Sequence, residues 1–246
     1  MPTQTFLADL DLLDLSRPTL IHSSFKALSQ WGGMPEEWAK DLDDLLSPAG
    51  LLIPTFTGRA EDGPDDPPRF DPAETPGYTG ALTEAARKLW GAESRSLHPT
   101  HSFLCRGRAA EWRMDHATAP TPCSPKSPLG MLAESEGQIL LAGCGLKSLT
   151  LVHAAEEAAG APYVMQPEQV RCWIKKDGAW SQTPPIGIHC WKTPRDYSRL
   201  EPRLIEAGVM KVKEMRGFRF HVIQAGSALE LLTQWIEDDP ACVLPY

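Results

Sequence analysis

Apolar positions along the chain fall into short runs that suit buried strands and into faces spaced like helices, with polar, proline-rich stretches between them. The clearest run is Ile139-Leu140-Leu141-Ala142, closed by Gly143-Cys144-Gly145. It predicts a buried strand, a Gly-x-Gly turn and then a helix that carries Thr150, His153 and Glu156 near its start, with Ser148 or Thr150 as its cap. Pro18 to Ser24 and Gly50 to Phe56 predict two further strands, while residues 4–16, Pro35 to Leu46 and Thr79 to Trp90 place apolar residues at helical spacing. In the last third, Val170 to Ile174, Ile186 to Trp191 and Arg216 to Gln224 read as strands, and Asp196 to Ala207 and Ser227 to Ile236 as helices. That third reads as scaffold completing the sheet. The alternation predicts an α/β fold over residues 1–246 as one domain, without repeats or a linker.

Three polar stretches interrupt this pattern. Gly58 to Tyr78 is loaded with Gly, Pro, Asp and Glu and predicts a long loop. Arg95 to Ser102 gathers His98, His101 and hydroxyls ahead of a strand, and Thr121 to Leu129 is a second proline-braced loop, with His116 before it. Loops held rigid by proline are where functional groups are commonly placed.

Composition narrows the function classes. Of 246 residues, 42% are hydrophobic and 23% charged, as in a folded soluble enzyme. A formal charge of −8 speaks against nucleic acid or an anionic membrane as partner and suits a cationic one. Six cysteines without a C-x-x-C pair, and no secretory signal, favour reduced thiols in the cytoplasm. No apolar run reaches the roughly 18 residues of a membrane helix.

Three chemistries fit the polar residues. His98 with His101, or His153 with Glu156 three residues on, could approach a metal, but neither supplies the H-E-x-x-H pattern, and no metal is expected. Cys123 or Cys144 could act as a nucleophile, although no spacing pairs either with a histidine and a small buried filler is the commoner fate of a cysteine. A neutral imidazole could instead deprotonate an attacking amine. His153, early in its helix, suits that role because the positive end of the helix dipole disfavours imidazolium. Glu156 one turn on could orient that ring or serve only the helix, and His22 at its strand end reads either as a structural histidine or as a cleft group.

The ordered series His22-Ser23-Ser24, Leu51 to Thr57, Phe70-Asp71-Pro72 with Thr75-Pro76, Arg95-Ser96-x-His98-Pro99-Thr100-His101-Ser102, Thr121-Pro122-Cys123 with Ser127-Pro128-Leu129, and Leu140 to Gly145 with Thr150-x-x-His153-x-x-Glu156 resembles the aminoglycoside 3-N-acetyltransferase family from about residue 18 onward. The resemblance implies a three-layer α/β/α domain around a mixed sheet, acetyl-coenzyme A as cosubstrate, and a cationic amine such as an aminoglycoside as acceptor. It implies His153 as base with Thr150 beside it, joined by Glu156 and His22 at the reacting centre. Ser23 and Ser24 would lie along the pantetheine arm, with Arg95, Ser96, His98 and Ser127 on the cofactor side and Phe56, Asp71 and Cys123 on the acceptor side. Lys26 and Lys126 are our expectation for phosphate contacts, since an anionic cofactor on an acidic chain needs local positive charge. Carboxylates of the 61–66 loop would receive acceptor charge. Leu146 to Leu149 departs from the family pattern before Thr150, so an acyltransferase for another amine, one working through a Cys123 or Cys144 acyl-enzyme, and a non-catalytic binder of coenzyme A or amine stay open, as monomer or homodimer.

Overall fold

The structure, a computed structural model, describes residues 1–245. Its frame is a six-stranded mixed sheet in the order β4-β2-β1-β5-β9-β8, built from β1 (Thr19–Ser23), β2 (Leu51–Pro54), β4 (Phe103–Arg106), β5 (Gln138–Ala142), β8 (Met210–Met215) and β9 (Phe218–Gln224). Strands β1, β2 and β5 run parallel, with Leu20 opposite Leu52 and Ile139, whereas β4, β8 and β9 run antiparallel to their neighbours. Because β2 and β5 flank β1 on opposite sides, the three carboxyl ends meet at a topological switch point, where α/β sheets leave a crevice.

Helices cover both faces. Successive residues of a strand point to opposite sides. Accordingly Leu20, Leu52, Ile139 and Leu141 join one apolar core, and Ile21, Leu51, Ile53, Leu140 and Ala142 join the other. Helices α1 (Pro2–Leu10), α3 (Pro35–Leu46) and α4 (Ala81–Trp90) bury Phe6, Trp38 and Trp90 in the second core; α5 (Pro128–Glu134), α6 (Leu151–Ala158), α7 (Leu200–Glu206) and α8 (Ala225–Asp238) bury Leu132, Leu151, Leu204 and Leu232 in the first. This is the expected α/β/α arrangement around a mixed sheet.

Several boundaries differ from the sequence expectation. The first helix stops at Leu10, since Asp11 adopts φ 49° and its N–H caps Leu7 O at 3.0 Å. Strand β8 alternates Met210, Lys211, Val212 and Lys213, and an edge strand tolerates that alternation, which hid it from a search for apolar runs. Residues 170–191 do not extend the main sheet. Val170 bridges Ile186 singly, and β6 (Trp173–Lys176) joins β3 (Arg69–Phe70) and β7 (Ala179–Gln182) in a separate three-stranded sheet.

At the turn after β5, Gly143 is required: its φ is +69°, and a Cβ there would lie 2.1 Å from Ala27 Cβ in the short helix α2 (Phe25–Leu28). The close approach seats α2 and the chain after Gly143 side by side at the crevice. Gly145 has ordinary backbone and open space around it.

Candidate active site

A cleft of about 330 Å³ occupies the crevice. From β1 come His22 and Ser23, from the end of β2 Pro54 and Phe56, and from the turn before α6 Lys147, Ser148 and Thr150; Thr79, Thr83, His101 and Trp191 close the walls, with His153 facing in from α6. Thr150 occupies the N-cap position of α6, yet its hydroxyl makes no cap hydrogen bond, contrary to the expectation for it; it stands 3.5 Å from His22 Nε2 inside the cleft.

His153 is the third residue of α6, and Glu156 follows on the same face one turn later. Glu156 Oε2 lies 2.8 Å from His153 Nδ1. The carboxylate is fully buried. Burial would raise its pKa, but His153 and Arg195 outweigh that and hold it below the ordinary value, so it is ionised at neutral pH. An ionised carboxylate on Nδ1 accepts the Nδ1–H and leaves the Nε2 lone pair for the cleft. Arg195 Nε reaches Glu156 Oε1 at 3.2 Å while its Nη1 donates to the carbonyls of Cys190 and Thr193, both at 2.8 Å. Tyr197 O–H stands 3.2 Å from His153 Nδ1 and 3.4 Å from Glu156 Oε2.

The remaining imidazoles of this region are neutral. Burial pulls His22 down to about 3 and His116 down to about 4, and it lowers His98 and His101 well below the usual histidine range. His101 stacks on Trp191 with planes 2° apart, and its Nδ1 meets Thr100 Oγ1 at 2.9 Å, which fixes one wall.

The structure brings His22, Ser23, Phe56, Thr150 and His153 to the cleft, with Glu156 directly behind; it does not bring the other expected residues there. Arg95 is 2% exposed and spends its guanidinium internally: Nε on Thr55 Oγ1 and Ser102 Oγ, Nη1 on Thr75 O at 2.6 Å, Nη2 on Thr55 O at 2.9 Å, over the Phe70 ring. Burial lowers it to about 10, still charged at neutral pH, and it braces the chain that carries Phe56. Ser96 and His98 are buried beneath the same wall, Ser96 Oγ on His116 Nδ1 at 2.9 Å and His98 Nδ1 accepting the N–H groups of Thr100 and His101. Ser127 is a buried N-cap, accepting the Gly130 N–H. Ser24 starts α2 outside the cleft lining, and Lys26 and Lys126 are exposed away from it. Cys123 opens instead on a second cavity that shares no lining residue with the cleft.

Three of the expected acidic receivers are paired within the fold. Asp71 pairs with Lys175 at 2.9 Å, and Asp62 and Asp66 pair with Arg59 at 2.9 and 3.0 Å. Sequence reasoning missed Lys147, Thr79, Trp191, Arg195 and Tyr197. Lys147 was visible as the one cation beside the Gly-x-Gly turn; Trp191, Arg195 and Tyr197 come from the stretch read as scaffold, and no local pattern links them to His153.

A mixed sheet between two helical layers, with its cleft at the switch point, is the fold of the aminoglycoside acetyltransferases of known structure. The solved AAC-IIIb, in binary complex with CoASH, aligns with a TM-score of 0.78 at 22% identity over 96% of both chains. AAC-VIa bound to sisomicin gives 0.67 at 20% over 94% of both, and the YokD protein of Bacillus subtilis 0.74 at 20% over 97% of this chain and 94% of its own. The family model described as aminoglycoside 3-N-acetyltransferase matches residues 20–237, and the chain belongs to that family of N-acetyltransferases. Among its relatives, aminoglycoside N(3)-acetyltransferase VIII of Streptomyces fradiae is 28% identical over 89% of this chain and 85% of its own length, and aminoglycoside N(3)-acetyltransferase VII of Streptomyces paromomycinus is 29% identical over 96% and 92%.

Proposed function

We propose that this protein transfers an acetyl group from acetyl-coenzyme A to an amine of an aminoglycoside-type acceptor, at the 3-amino position, by direct attack in a ternary complex with His153 as general base. The observation that carries the reading is the 2.8 Å contact between His153 Nδ1 and the buried Glu156 carboxylate, in a cleft at the carboxyl edge of the sheet. The donor fits the groups present: hydroxyls of Ser23, Thr79 and Ser148 beside Pro54 and Phe56 suit an amphipathic pantetheine arm, and Lys147 offers a cation to the anionic end. When bound, acetyl-coenzyme A supplies an electrophilic thioester and a thiolate leaving group.

An ammonium acceptor must lose a proton to attack. His153 Nε2 takes it, while Glu156 holds the Nδ1–H and stabilises the imidazolium that forms. Thr150 is the hydroxyl we assign to the charge that develops on the carbonyl oxygen. Burial pushes the Cys123 thiol well above its usual range and Cys144 up to about 11, and neither lies in the cleft lining, which supports direct transfer over an acyl-enzyme.

A second reading is favoured by one observation. Among the described residues that line the cleft there is no carboxylate, so nothing in its walls complements a polycation. An amine of lower charge, from another natural-product pathway, is the acceptor on that reading. Following free thiol while the protein is mixed with acetyl-coenzyme A and a panel of aminoglycosides and simple monoamines separates the two. Thiol release with neither class overturns both. Parallel initial-rate lines with acetyl label on the protein would replace the ternary complex by a covalent route.

A further inference from the structure

Behind the cleft, on the other side of α6, three side chains with metal-ligating atoms converge. Glu157, the residue after Glu156, points away from the cleft. Its Oε1 lies 2.6 Å from His189 Nε2 and 3.0 Å from the backbone N of Cys123, and its Oε2 accepts the Thr121 hydroxyl at 2.5 Å. The Cys123 thiol, a carboxylate oxygen of Glu157 and a ring nitrogen of His189 all lie within 4.8 Å of one another. Cys123 and His189 are 3% and 2% exposed.

We propose that Cys123, Glu157 and His189 form a binding site for a thiophilic divalent cation of the zinc type, entered from the second cavity and separate from the acetyl-transfer cleft.

Three features carry this. The donor set is one sulfur, one nitrogen and one oxygen, which zinc accepts and which magnesium or calcium does not. The carboxylate is already oriented by Thr121 and by the Cys123 N–H, the outer contacts that hold a ligand in place before the ion arrives. An entry path exists: Cys123, Thr121 and Glu157 face a cavity of about 640 Å³ between α5, α6 and α8, which leaves room for water in a fourth position.

Two ring nitrogens beside the site lack partners, and neither is the nitrogen that would meet the ion. His189 Nδ1 is buried with no hydrogen-bond partner, and on the neighbouring ring, 4.6 Å away between centroids, His101 Nε2 is also buried and unpartnered. Native structures rarely leave such atoms without reason. On binding, the Cys123 thiol releases its proton to solvent and forms the sulfur–metal bond, and the His189 proton moves from Nε2 to Nδ1, freeing the Nε2 lone pair. Thiolate, carboxylate and a divalent ion sum to zero charge, which suits a buried position.

The His189 ring lies 5.0 Å from that of His153 between centroids, so an occupied site rests against the proposed base.

The test uses full-length protein without a histidine tag, titrated with cobalt(II) as a spectroscopic stand-in for zinc. The expected result is one cobalt per chain with a thiolate-to-metal charge-transfer absorption, displaced by zinc and abolished in Cys123→Ser. In Glu157→Gln, which keeps a carbonyl oxygen for Thr121, affinity falls by more than the roughly 10–100-fold cost of losing an outer contact. If Cys123→Ser does not fold, as judged by circular dichroism, Glu157→Gln decides alone. No charge-transfer band in the wild type, a band that survives Cys123→Ser, or unchanged affinity in Glu157→Gln overturns the proposal.

Discussion

His153 Nδ1 stands 2.8 Å from Oε2 of Glu156, and that carboxylate is wholly buried while the imidazole edge faces the cleft. The pair is local, three residues apart on one helix, but its electrostatics are not. Burying a carboxylate costs several kcal/mol unless charge and hydrogen bonds compensate, and here His153 supplies them together with Arg195 and Tyr197, which lie 39 and 41 residues further along the chain. The helix therefore sets the geometry of the pair, and Arg195 adds to His153 in holding the carboxylate charged.

Removing the base tests the first half of that statement. His153→Ala is expected to lower kcat by about 10²–10⁴-fold, the usual contribution of a positioned general base, with little change in the affinity for acetyl-coenzyme A measured by direct binding. Glu156→Gln keeps the shape but not the charge, and is expected to lower kcat by less. Full turnover in His153→Ala would remove the imidazole from the reaction.

The second half predicts a stability effect. Arg195 is 8% exposed at its side chain and bonded to Glu156 and to the carbonyls of Cys190 and Thr193. Arg195→Met leaves the Glu156 charge buried with fewer partners, and the expected loss is about 3–5 kcal/mol in urea unfolding. Arg195→Lys is expected to recover only part of it, because an ammonium cannot reproduce the planar fork that reaches Glu156 and the carbonyls of Tyr163, Cys190 and Thr193. Equal stability of both variants with the wild type would show that Glu156 is held by other groups.

Arg95 separates structural from cofactor roles. Its guanidinium joins the end of β2 through Thr55 to the loop at Thr75 and Ser102. Arg95→Met is expected to cost about 3 kcal/mol or more, since it strips several buried acceptors at once, while KM for acetyl-coenzyme A in the folded variant stays within about threefold. A large rise in KM with no loss of stability would instead restore Arg95 to the cofactor side.

These contrasts show where the sequence was informative. The strand, turn and helix around His153 were legible because every relation involved is short: an apolar run, a glycine with positive φ, and Thr150, His153 and Glu156 at helical spacing. His22 followed because parallel strands put their carboxyl ends together. The family resemblance placed Arg95, Ser96 and His98 in the cleft, yet here they lie beneath its wall, Arg95 bonded to Thr55, Ser102 and Thr75, Ser96 to His116, and His98 Nδ1 to the N–H groups of Thr100 and His101. Asp71, Asp62 and Asp66 looked free because Arg59 and Lys175 could not be paired with them by spacing alone. Trp191, Arg195 and Tyr197 reach the site through long-range packing, for which the local pattern holds no signal.

The buried histidines predict how the fold responds to acid. Burial depresses His22 to about 3 and His116 to about 4 in the folded protein, against about 6.5 in an unfolded chain. Above pH 6.5 both rings are neutral in either state and stability is unaffected. Below it the unfolded chain binds protons that the native protein refuses, so stability falls with pH until the native rings titrate, near 4 for His116 and near 3 for His22. Each ring steepens the loss by up to about 1.4 kcal/mol per pH unit in that window. His116 accepts from Ser96 and donates to the Pro122 carbonyl away from the cleft, so it can be changed without touching the proposed base. His116→Gln is expected to reduce the slope of unfolding free energy against pH between about 6 and 4.5 by about one proton, whatever it does to absolute stability. Urea unfolding across that range measures the slope, and an unchanged slope would mean that the ring binds its proton as readily in the native protein as in the unfolded chain.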